Sequence, residues 1–231
     1  MRMPTMSSRV VSFCGVAALI ACSVALPGCK AVREKYFNTL EKVGIERREL
    51  LVSRVDKARE AQVDAQRQFK DALEEFQALV GHQGGDLEKM YSKLSSEYEA
   101  SEKSAEEVRS RITKIEQVAQ SLFEEWQREI GQYSNQQYRR ESERDLAATR
   151  RRTDQVVVAL KRSAKTMDPV LLKFRDQVLY LKHNLNARAL GSLSGTAKSL
   201  ELEVSGLIQQ MQGSITEAES YIKEMKAAGK S

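Results

Sequence analysis

From Leu51 the apolar residues recur at steps of four and three: Leu51, Val55, Ala58, Ala65, Phe69, Ala72, Phe76 and Leu79, with Gln62 filling the one gap. That spacing is the seam of an amphipathic helix that packs against others over about four heptads. "GHQGG" at 81–85 supplies the backbone freedom that ends a helix, and Asp86 is placed to cap the next one. Tyr91, Leu94, Tyr98, Ser101, Ala105, Val108, Ile112, Ile115, Ala119, Leu122 and Trp126 then hold the same spacing unbroken. A helix from 86 to about 130 would be roughly 68 Å long.

"GQYSNQ" at 131–136 predicts the next break, and a third helix follows over about 136–166, with Leu146, Val156, Val157, Leu160 and Met167 along one side. Asp168 before Pro169 reads as N-cap and first helical residue, because proline there has no hydrogen bond to lose. A last helix is therefore expected from 169 to about 226, with Leu171, Phe174, Val178, Leu181, Leu185, Leu193, Ala197, Leu200, Val204, Leu207 and Met211 as its seam. Between Leu185 and Ala197 the steps become four, four and four, which breaks the heptad phase, and Gly191 and Gly195 predict a bend near 191. Ser192, Ser199, Gly206, Gly213 and Ser220 form a second row, each seven apart. It is either a bare solvated face or a place where another helix, of this chain or another copy, comes close.

The fold class is therefore all-α: an elongated antiparallel helical bundle or coiled coil of about four long helices, with tips near 81–85 and 166–169. Composition agrees. The chain has 231 residues, 41% hydrophobic and 30% charged, and of its three prolines only Pro169 lies beyond position 27. Residues 86–130 hold 11 acidic and 7 basic residues, whereas 139–165 hold 9 basic and 4 acidic, so the second and third helices are expected side by side.

The N-terminus is different. Met1 to Arg9 is short and basic, and "VVSFCGVAALIACSVAL" at 10–26 is apolar or small, the layout of a secretory signal peptide. "LPGC" at 26–29 resembles the lipobox of bacterial lipoproteins, in which the cysteine thiol is alkylated by diacylglycerol and the chain is then cut just before it. Cys29 is the expected lipidation site, since it uses the whole apolar run and charge begins at once with Lys30 and Arg33. "LIAC" at 19–22 makes Cys22 the alternative. In such lipoproteins an aspartate directly after the cysteine signals inner-membrane retention; here that residue is Lys30, so the resemblance implies an outer-membrane lipoprotein facing the periplasm. The expected organisation is a signal peptide over 1–28, a lipid-anchored linker over 29–44, the helical domain over 45–226 and a disordered tail over 227–231. Removing Arg2 and Arg9 leaves 35 basic against 32 acidic residues, mixed along the chain, which gives no footprint for nucleic acid. Everything after Cys29 is cysteine-free, so the body carries no disulfide framework and no thiol nucleophile.

"EKVGIERRELLVSRV", "AREAQVDAQRQFKDALEEF", "GGDLEKMYSKLSSEYEASEKSAEEVRSRI", "LFEEWQREI" and above all "DPVLLKFRDQVLYLKHNLNARAL" resemble the bacterial lipoproteins filed as domain of unknown function 2959, over nearly all of residues 36–225. The resemblance implies a secreted, helical, lipid-anchored protein. It supplies no activity and no catalytic residue, and it favours Cys29, because members place the lipobox shortly before the "EKVG" stretch.

The densest polar cluster is "LKHNLNARAL" at 181–190, where His183, Asn184, Asn186 and Arg188 fall within six residues. On a continuous helix these form either a polar layer that fixes register or a partner-binding surface. His82 and His183 are the only histidines, so no metal site and no cofactor are expected. "RRR" at 150–152 is flanked by Glu143, Asp145 and Asp154 and reads as a solvated face rather than a phosphate site; Trp126 reads as core. No phosphate loop, HExxH or GxSxG occurs. The expected function is non-enzymatic: a lipid-anchored envelope scaffold that binds a protein partner or itself, with neither nucleic acid nor a small-molecule substrate. Amphipathic-helix lipid binding or membrane remodelling is the alternative, and a soluble intracellular coiled coil is a third reading.

Overall fold

The structure is a computed structural model that describes residues 46–81 and 86–228. Four helices follow in order: α1 over Arg47–Val80, α2 over Leu87–Ile130, α3 over Gln136–His183 and α4 over Ala187–Ala228. Each packs on its chain neighbours, and α4 closes the ring against α1, leaving α1 opposite α3 and α2 opposite α4. This is an up-down-up-down bundle. At 48 residues α3 is about 72 Å long. The α1 N-terminus, the α2–α3 turn and the α4 C-terminus lie at one end, with the α1 C-terminus, the α2 N-terminus and the α3–α4 turn at the other.

The predicted seams are the core. Leu51, Val55, Ala58, Gln62, Ala65, Phe69, Ala72, Phe76 and Leu79 are all buried on α1, and Leu94 to Ala119 on α2. Near the end of α2 the buried face rotates: Ser121, Phe123 and Ile130 go inside while Leu122 and Trp126 are half-buried at the margin. Trp126 Nε1–H donates to Ser142 Oγ on α3 at 2.8 Å. Asp86 caps α2 as expected, accepting from the Lys89 N–H at 3.0 Å, and Asn135 caps α3, accepting from the Gln137 N–H at 2.8 Å.

The expected break at 166–169 is corrected. α3 runs through Pro169 to His183, and the chain reverses at 184–186. Proline inside a helix costs about 3 kcal/mol. Here it stands on the exposed face, as does Lys165, whose carbonyl loses its usual donor. Beyond it the seam continues through Val170, Leu171, Phe174, Val178 and Leu181, all buried. Each such side chain contributes about 1.5–3 kcal/mol, so the burial outweighs the proline. Phe174 meets Phe76 edge-on across the bundle, ring centroids 6.4 Å apart. Asp168 is not a cap; it pairs with Arg109 of α2.

The bend predicted near Gly191 is also displaced. Gly191 and Gly195 lie within α4, and the four-four-four run from Leu185 to Ala197 is the turn and the start of the next helix. The acidic and basic helices do lie side by side. Lys161 reaches Glu116 at 2.6 Å, and the Arg150 guanidinium sits 5.2 Å over the Phe123 ring.

Candidate functional site

The lipobox, Cys29 and Cys22 lie outside the described residues, as do His82 and the Arg188 side chain. The chain enters the bundle at Glu46, at the end opposite the 184–186 turn.

His183, Asn184 and Asn186 stand at that far turn rather than in mid-helix. Asn184 ends α3, its N–H donating to the Leu181 carbonyl at 3.1 Å and its side-chain amide to the Tyr180 carbonyl at 2.9 Å. The Asn186 side chain accepts from the Ala189 N–H at 3.0 Å, the bond of an N-cap. Both asparagines thus serve the backbone, and the His183 imidazole is exposed beside them. The turn presents a polar surface at the tip of the rod.

The charged groups brace the bundle laterally. Arg152 holds Glu224 through two nitrogens, at 2.7 and 3.1 Å, and also pairs with Glu217, tying α3 to α4. The "RRR" stretch is therefore engaged: Arg152 with carboxylates, Arg150 with Phe123. The hydrogen bond to Glu224 raises the Arg152 pKa, and the same bond, with one from Ser220, holds Glu224 below the usual carboxylate range. Beneath this lies a buried contact, Thr153 Oγ1 to Tyr221 Oη at 3.0 Å, and burial pushes the Tyr221 phenol up. Nothing in the local sequence signalled this network, because its members are 65 to 72 residues apart. Burial and a hydrogen bond to Glu102 push Tyr98 up to about 12. Lys173 pairs with Glu203, and Lys93 with Glu75.

The depressions on the surface are open grooves between neighbouring helices. One between α1 and α2 is lined by Lys57, Asp64, Gln68, Lys103 and Glu107, of mixed sign. Among the described residues no group of three His, Cys, Asp or Glu is placed to hold a metal ion, and no helix is long and apolar enough to cross a membrane.

A family model described as "Protein of unknown function (DUF2959)" matches residues 36–225. No curated protein and no solved structure matches the chain.

Proposed function

Because the chain belongs to the DUF2959 family, whose description assigns no activity, we propose its function from its architecture: a lipid-anchored, non-catalytic spacer or scaffold of the bacterial envelope. Cys29 carries the lipid, and the rod projects from the periplasmic face of the outer membrane. The observation that carries this reading is the core. One narrow apolar seam runs the length of each helix and is consumed by its neighbours, from Leu51 to Leu79, Leu94 to Ile130, Leu146 to Leu181 and Leu190 to Met225. Such a fold holds two ends apart.

Residues 30–45 join Cys29 to Glu46, a tether of at most about 55 Å when fully extended. The tether enters at the end of the α2–α3 turn, so the Asn184–Asn186 turn faces away from the membrane and is placed to meet a partner. Several acyl chains on one terminus anchor stably, where a single chain does not. The lipid-binding alternative requires broad apolar faces released by opening the bundle, and these seams are narrow and alanine-rich.

Intact mass spectrometry of the protein from the membrane fraction tests the anchor. A mature chain that begins at diacylated Cys29, lost in Cys29→Ser and retained in Cys22→Ser, is expected. An unlipidated full-length chain in the cytoplasm would overturn the reading.

A further inference from the structure

Two contacts fix how the helix ends align. Ser163 of α3 meets Gln62 of the parallel helix α1, which brings Arg47, the first residue of α1, level with Ala148. Thr153 meets Tyr221 of the antiparallel helix α4, which brings Ala228 level with Leu146. Residues 136–145 of α3 therefore extend past the described ends of both helices, by about 15 Å. Leu146 is accordingly the first buried residue of α3, and none from 131 to 145 is buried.

Among the described residues the α2–α3 hairpin is thus the foremost part of the rod at the end where the chain enters. It is braced from within: the Asn135 side chain accepts from the Tyr138 N–H at 3.4 Å, and Trp126 bonds Ser142 across the two helices. At its tip stand Tyr133 and Tyr138, 43% and 58% exposed, and neither ring serves the core. Tyrosine suits a membrane–water interface, with its ring toward the acyl boundary and its hydroxyl among headgroups. At the opposite end Tyr180 lies along the flank instead, its hydroxyl 3.4 Å from Ser192 Oγ of α4. Beside the tip tyrosines, Arg139 holds Glu143 at 3.2 Å, and Arg140 gives its Nε–H to the Gln136 carbonyl at 3.2 Å. Each guanidinium keeps further N–H groups for an acceptor outside the chain. Glu129 and Glu141 are exposed here too. Such mixed charge suits a layer that itself carries phosphates and amines, and arginine matches phosphate through parallel N–H bonds.

We propose that the α2–α3 tip seats in the headgroup layer of the membrane that holds the anchor, Tyr133 and Tyr138 entering the interface and Arg139 and Arg140 binding headgroup phosphates. The proposal rests on the anchoring reading: residues 30–45 lead from Cys29 to Glu46, at this same end, and hold it within about 55 Å of the lipid. Tethering makes the contact intramolecular, so a few weak interactions suffice at the resulting effective concentration. The contact stands the rod upright, which a tether alone does not.

In the lipidated mature chain an introduced cysteine is the only free thiol. Ser134→Cys, between the two tyrosines, and Lys182→Cys, near the far end, each carry an environment-sensitive fluorophore. The full lipidated protein is placed in vesicles of phosphatidylethanolamine and phosphatidylglycerol that hold a nitroxide at a shallow acyl position. Quenching at position 134 at least threefold above that at 182 is expected. Tyr133→Ala with Tyr138→Ala should bring position 134 down to the level of 182, with helical content and the mass at Cys29 unchanged. A lipidated chain in which 134 is quenched no better than 182 overturns the proposal and leaves the anchor. If that position is nevertheless shielded from a water-soluble maleimide in whole cells, a protein or the cell wall holds the tip instead. Quenching that survives both tyrosine substitutions also overturns it, because the tether alone then keeps the tip at the bilayer. An unlipidated chain, read separately from the mass, overturns the anchor and the proposal with it.

Discussion

Gln62 and Ser163 meet across the diagonal of the bundle. Ser163 Oγ on α3 donates to Gln62 Oε1 on α1 at 3.1 Å, and both side chains are buried. Gln62 Nε2 has no partner among the described residues. The pair sets a polar level among apolar layers, as Thr153 and Tyr221 do nearer the other end of α3, and favours the register that brings the two together. Ser163→Ala leaves the whole buried amide without a partner and should destabilise the fold by about 1–2 kcal/mol. Gln62→Leu removes the need for a partner and should be neutral or stabilising in urea titrations. A marked loss of stability in Gln62→Leu would contradict this account of the layer.

Pro169 gives a sharper test of the helix boundary. Inside α3, Pro169→Ala restores a backbone donor and a good helix former on an exposed face, and should stabilise by about 1–3 kcal/mol. At the start of a new helix the same change would be close to neutral. The shift of the urea midpoint at constant slope distinguishes the two.

That test bears on how much of the fold was legible in the chain. The seam of α1, that of α2 from Leu94 to Ala119, the Asp86 cap and the adjacency of α2 and α3 follow from residue spacing and charge; beyond Ala119 the buried face of α2 turns and leaves Leu122 and Trp126 half-buried, against the spacing. The α3–α4 turn did not follow. Asp168–Pro169 carries the residues of a helix start, whereas the true turn lacks glycine and proline and is made by Asn184 and Asn186. The same asparagines look like a polar site until their bonds to the backbone are seen. Only the burial of Phe174 and Leu181 beyond the proline decides the matter, and burial belongs to the tertiary fold. The Arg152 network was hidden for the same reason: its carboxylates come from α4.

That network makes stability depend on acid. Glu224 titrates lower in the fold than in the unfolded chain, because Arg152 and Ser220 hydrogen-bond its carboxylate. Its contribution is therefore present above the ordinary carboxylate pKa and is lost as pH falls through the folded value. Arg152→Met should be less stable than the parent at pH 7, and the gap should narrow below pH of about 4.5. A gap that is constant with pH would show that the ion pair contributes nothing.

At the alkaline side the sign reverses. Tyr98 ionises at about 12 in the fold, against about 10 in an unfolded chain. The folded state holds its proton longer, so this contribution is complete below the unfolded pKa and disappears as pH rises through the folded one. Tyr98→Phe should lose less stability than the parent between those two values, measured by circular dichroism.

Gly206→Ala and Gly213→Ala occupy open space on α4. Each should stabilise the single bundle by about 0.5–1 kcal/mol through helix propensity. Thermal melts of dilute protein read this directly, and a loss of stability would mean that the positions are crowded within the chain.

The measurement that bears most directly on an end-anchored rod is the distance of its two ends from the bilayer. Gln137→Cys and Lys182→Cys lie on α3, both exposed and 45 residues apart, about 68 Å along the helix. With the lipidated protein in vesicles, energy transfer from a label at each position to a dye in the headgroup layer is compared. The account predicts strong transfer from position 137 and almost none from 182. Equal transfer from both would place the helices flat on the membrane and contradict the spacer in favour of a lipid-surface protein.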